Sequence, residues 1–123
     1  MNYVILRRIG GFYNTFDNDA IVLSYLCNYK VKNGKCGFPI SAIDKVINIL
    51  DNNKVNYIIK EKGIDKIKKN FNNGNKYNKI LIKGKEKYDI NFRIDNIINV
   101  LSNLSYDKLD NLIDIIRDYI NEE

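Results

Sequence analysis

The chain has 123 residues, a formal net charge of +5, 45% hydrophobic residues and neither histidine nor tryptophan. That is enough apolar material for one folded domain with a real core, and it excludes imidazole bases, Ser/His or Cys/His nucleophile pairs and imidazole metal ligands. Two cysteines are too few for a disulfide scaffold, and no apolar run approaches the ~18 residues that a membrane span needs.

In chain order, Tyr3 to Ile9 is rich in β-branched and apolar residues and stops at Gly10-Gly11, which predicts a strand ending in a turn or bulge. Asp17 to Cys27 reads as a helix, with Asp17 as a cap and Ala20, Leu23, Ser24 and Cys27 on one side. Tyr29 to Lys32 and Lys35 to Phe38 flank Asn33-Gly34, a hairpin signal. Ser41 and Asp44 have capping-box spacing, and Ile43, Val46, Ile47 and Leu50 form the stripe of a second helix. Val55 to Ile59 is the next strand. The order β-α-β-β-α-β predicts an α+β fold, a small mixed sheet with helices packed on it, over residues 1–61.

Residues 62–123 are expected to be a basic segment and C-terminal helices packing on that unit. Glu61 to Asn75 is Lys/Asn-rich and predicts an irregular turn or short helix. From Tyr77 to Leu101 the apolar spacing is mostly helical, with a break expected near Gly84 or Asp89. Ser105 then caps a last helix striped by Leu109, Leu112, Ile113, Ile116 and Ile120.

Charge is unevenly spread. Residues 1–59 carry a net +3, residues 60–88 carry ten lysines against three acids for +7, and residues 89–123 carry −5. A basic middle beside an acidic tail suits a polyanion partner on one face; the alternative is merely a Lys-rich solvated surface from an AT-rich coding bias. Ile, Asn, Lys and Tyr together make up more than half of the chain. There is no G-x-x-x-x-G-K-[ST] or G-x-G-x-x-G phosphate loop.

Residues Leu6 to Asp19 read LRRIGGFYNTFDND. Glycines let a backbone approach a ligand closely, and an aromatic beside them can wedge or stack against a base. Arg7 and Arg8 precede the pair, one on each face of the strand. The same Phe12 and Tyr13 also fit a small domain's core.

Gly10-Gly11-Phe12-Tyr13-Asn14, Asn18-Asp19-Ala20, Gly37-Phe38-Pro39 and the closing strand from Val55 to Lys60 occur in the order and spacing of a known domain. Over residues 3–61 the sequence resembles the N-terminal mismatch-recognition domain of the MutS DNA mismatch-repair family. The resemblance implies that Phe12 stacks on a mispaired or unpaired base from the minor groove. It also implies selection by DNA deformability more than by base-edge readout. The family's Glu that hydrogen-bonds the mispaired base is Asn14 here. An amide donates and accepts but carries no charge, so the expected discrimination between mismatches goes with it.

The family's clamp, levers and ATPase do not fit in 123 residues. The expectation is therefore a free-standing, non-enzymatic DNA-binding relative of the kind a phage or mobile element carries, working in a reducing cytosol. Its DNA-binding residues are expected to be Phe12, Tyr13, Asn14, Arg7 and Arg8, with Lys76, Lys79 and Lys83 in a basic track that Lys85 and Lys87 extend. Neither cofactor nor metal is expected, and no membrane contact. A protein partner or homodimer through the C-terminal helices, without DNA binding, is the alternative. A carboxylate metal nuclease built on Asp107, Asp110, Asp114 and Asp118 is a third reading, although these acids sit opposite the apolar stripe. Cys27 and Cys36 read as buried small hydrophobes.

Overall fold

The computed structural model describes residues 2–72 and 76–122. It is an α+β fold in two compact units, Met1–Tyr88 and Asp89–Glu123. The first unit holds a five-stranded mixed sheet of β1 (Val4–Ile9), β2 (Phe12–Phe16), β3 (Lys35–Pro39), β4 (Tyr57–Glu61) and β5 (Ile64–Lys69), in the order β3-β2-β1-β4-β5. Among the described residues only β1 and β4 run parallel; the other neighbours are antiparallel. Helices α1 (Asp17–Cys27) and α2 (Ile43–Asn52) follow β2 and β3, and α3 (Lys76–Leu101) begins in this unit.

Gly10-Gly11 does more than end β1. It closes a two-residue hairpin with Ile9 opposite Phe12, and Gly10 takes the φ of +60° that a primed turn needs at its first central position. Residues 12–16, which carry no predicted element, are therefore a strand. Asn33-Gly34 is a tight turn, with φ of 53° and 72° and paired Lys32–Lys35 backbone hydrogen bonds at 2.9 and 3.1 Å. The expected strand Tyr29 to Lys32, however, shrinks to one isolated bridge, and β3 pairs with β2. Lys62-Gly63, at φ 51° and 75°, makes a further two-residue turn and brings β5 against β4 where an irregular turn or short helix is expected. β5 is polar and wholly exposed, the usual composition of an edge strand.

Alternation along the strands puts most sheet residues of the core on one face: Val4 and Leu6, Tyr13 and Thr15, Cys36 and Phe38, Tyr57 and Ile59, with buried Ile58 on the other. Ala20, Val22 and Leu23 of α1, Val46 and Leu50 of α2, and Tyr77 and Ile80 of α3 close over them. The expected caps of α1 and α2 do not form. Phe16 and Ala42 hold those positions without side-chain hydrogen bonds, and a 3-10 turn at Ile40–Ala42 leads into α2. Asp19 instead ties α1 to its neighbours. It accepts the Ile5 N–H at 3.2 Å, beyond the Arg7–Asn14 pair that ends the β1–β2 ladder, and the Tyr77 hydroxyl.

No break occurs at Gly84 or Asp89; α3 is continuous. Gly84 lies against α1, where a Cβ would stand 2.9 Å from Ile21 Cγ2 and 3.2 Å from the Ile21 carbonyl oxygen. The glycine is a close-approach residue rather than a helix breaker.

The second unit comprises the C-terminal part of α3 and α4 (Tyr106–Asn121). Ser105 occupies the N-cap position of α4 with extended backbone but no side-chain cap bond. Arg93 and Asp89 form an i,i+4 ion pair at 3.0 Å. No described residue of this unit is buried.

Candidate nucleic-acid interface

The sheet face opposite the core carries Tyr3, Ile5, Arg7 and Ile9 from β1 and its approach, then Phe12, Asn14 and Phe16 from β2. Across the strands the register lines up Gly37, Asn14, Arg7, Lys60 and Asp65 in one row. Ile58 stands opposite Lys68, and Phe16 opposite Lys35. Most of these residues lie outside the core, but Asn14 and Ile58 are buried on this face at 5% and 9% exposure. The face is thus a platform with cations on four strands: Lys35, Arg7, Lys60 and Lys68. Lys60 pairs with Asp65 at 3.3 Å, and the Lys68 ammonium lies 5.2 Å from the centre of the Tyr3 ring.

At the hairpin tip, Ile9 and Phe12 face each other at 54% and 53% exposure. Fully burying such a side chain would contribute roughly 1.5–3 kcal/mol to folding, a gain Phe12 largely forgoes. Asn14, one row inward, is buried flat against Gly37; a Cβ there would stand 2.7 Å from Asn14 Oδ1. The bare backbone of β3 is what gives that amide its room.

Tyr13 and Arg8 point the other way. Tyr13 is a core residue, stacked on Phe38 at 5.7 Å between ring centres, and Tyr29 stacks on the same Phe38 at 5.7 Å. Its hydroxyl donates to Glu61 Oε1 at 3.0 Å, while Arg8 and Lys66 approach the same carboxylate at 3.6 and 3.1 Å. Burial, then the bond to Glu61, raises the Tyr13 pKa. The hydrogen bonds from Lys66 and Tyr13 hold the Glu61 carboxyl below its ordinary value. Of the hairpin residues that the sequence singles out, Phe12, Asn14 and Arg7 share the open face, and the Arg8 charge is engaged by Glu61.

Lys76, Lys79 and Lys83 are exposed on α3, whose buried side is formed by Tyr77, Ile80 and Gly84. They share one helix with Lys87, which donates to Asn28 Oδ1 at 3.3 Å, but no element with Phe12. Sequence reasoning does not single out Lys35, Lys60 and Lys68. Their signal is strand alternation, visible for residues 57–61 but hidden in 64–69 until Lys62-Gly63 is recognised as a turn.

Both thiols are free, and burial pushes Cys27 and Cys36 up to about 11, so neither is a ready thiolate. Among the described residues there is no group of three or more Cys, Asp or Glu arranged to hold a metal, and no helix long and apolar enough to cross a membrane. No family model matches the chain, and no curated protein matches it.

Proposed function

We propose that the protein binds DNA without catalysing a reaction, using Phe12 at the hairpin tip to stack on a base of distorted or mismatched duplex. Arg7, Lys35, Lys60 and Lys68 contact phosphates across the same face, and Lys76, Lys79 and Lys83 add a second basic stretch on α3. The observation that carries this reading is an aromatic held half in solvent by a glycine turn, on a cation-bearing sheet face turned away from the main core. Stacking needs a free π-face, and phosphates need cations that are not all neutralised. The resemblance of residues 3–61 to the MutS mismatch-recognition domain supports the same reading, and two free thiols suit a reducing cytosol.

Fluorescence anisotropy with matched duplex, G·T mismatch, single-base bulge and single strand, each at two salt concentrations, tests it. Affinity is expected to fall with salt, and Phe12→Ala is expected to weaken binding to the distorted duplexes by about 1–3 kcal/mol, the usual worth of one base–aromatic stack. Binding indifferent to Phe12 leaves only a basic surface. Absence of binding at low salt sinks the DNA reading and favours a protein-interaction module, to which the exposed apolar stripe of α4 points.

A further inference from the structure

We propose that the second unit is a self-association surface, on which α4 and the C-terminal part of α3 pack against the same two segments of a second copy of this chain. Each segment carries an apolar stripe, with Phe92 and Val100 of α3 and Ile115 and Tyr119 of α4 exposed outside it. Ile90, Ile94, Ile97, Ile98 and Leu101 fall at i, i+4, i+7, i+8 and i+11 of α3, and Leu109, Leu112, Ile113, Ile116 and Ile120 at i, i+3, i+4, i+7 and i+11 of α4. Yet the seven isoleucines of these stripes are 45% to 62% exposed.

At that exposure the two stripes leave on the order of 800 Å² of apolar surface, about the share that each partner contributes to a standard interface. Neither segment encloses a core by itself, whereas four segments related by a two-fold axis can enclose their stripes. A second copy matches the stripes in length and chemistry by construction.

Charge placement agrees with this occupant. Asp107, Asp110, Asp114 and Asp118 lie on the side of α4 opposite its stripe, so the seam brings no carboxylate into apolar contact. The unit still carries −5, so two copies repel at long range. Salt screens that repulsion and therefore tightens the dimer, the reverse of its effect on DNA affinity.

Sedimentation equilibrium of the full chain from about 1 µM to about 500 µM, a range that spans weak to moderate dimers, tests the proposal. The expected mass rises with concentration from 14.4 kDa to twice that value, and more readily at high salt. The double substitution Ile97→Asp and Ile116→Asp is expected to shift the dimer Kd upward at least tenfold. Thermal unfolding of the unsubstituted protein reads the same equilibrium without relying on a variant, because the Tm of the second unit rises with protein concentration only if it dimerises. A monomer throughout with a concentration-independent Tm overturns the proposal. So does an assembly larger than two copies, or a dimer untouched by the substitutions in a folded variant.

Discussion

In the first unit a set of aliphatic side chains is sheathed: Leu6, Leu23, Val46 and Leu50 are fully buried between the sheet and its helices. In the second, Ile97, Ile98, Ile113 and Ile116 follow an equally regular spacing and remain about half exposed. The difference lies in what each stripe meets. An apolar stripe states a capacity to pack, and a sheet supplies a broad face that one or two neighbouring helices do not. Hydrogen exchange reads this directly. Amides of β1 and β4 are expected to be protected far longer than those of residues 106–121 in dilute monomer, and comparable protection in the two units would break the contrast.

Substitutions sharpen it, beginning with the largest effect. Leu50→Ala, in the core, is expected to cost about 2–5 kcal/mol in denaturant melts. Ile116→Ala is expected to cost well under half as much at low protein concentration, since much of that side chain is already wet. Gly84→Ala tests the α3–α1 approach. Alanine gains about 1 kcal/mol of helix propensity, but forcing the contact with Ile21 costs about 1–3 kcal/mol, so the net expectation is a loss near 1 kcal/mol. A stabilised variant would mean that α3 sits further from α1. Phe12→Ala is expected to move the melting transition by less than about 0.5 kcal/mol, as for an exposed site away from the core.

The smallest effect is electrostatic. Glu61 is held below its ordinary pKa, so its contribution to stability is present above the unfolded-state value of about 4.3 and is lost as pH falls through the lower folded value. Glu61→Gln is expected to flatten the stability profile below about pH 4 and to leave its shape near pH 7 unchanged. An unaltered acid limb would show that Lys66, Tyr13 and Arg8 do not bias that carboxylate.

Much of the first unit is legible in the sequence because its signals are local. The apolar run of β1, the stripe of α2 and the Asn33-Gly34 turn each depend on residues within one turn or strand. β2 is hidden because FYNTF resembles a loop with aromatics until Gly10-Gly11 is seen to close a hairpin rather than end a strand. β5 leaves no trace because an exposed edge strand has no buried face to pattern it. Gly84 reads as a breaker because its reason, contact with Ile21, is long-range. At the site, Phe12 and Arg7 stand out through their neighbours, whereas Lys35, Lys60 and Lys68 join the face only through strand register. A single sequence does not print which lysines become neighbours.

The parallel pairing of β1 with β4 has a consequence for how the chain is made. β1 leaves the ribosome first, yet Val4 to Leu6 gains its ladder partner only when Tyr57 to Ile59 has been synthesised. For some fifty residues a Val-Ile-Leu segment must wait unpaired while β2, α1, β3 and α2 form between the two strands. The β1–β2 hairpin, closed by two glycines, shelters only the far end of β1 in the meantime. Closing this long loop is the slow, entropy-limited step expected of non-local pairing, so weakening β4 retards folding more than an equal loss in the late-added α4.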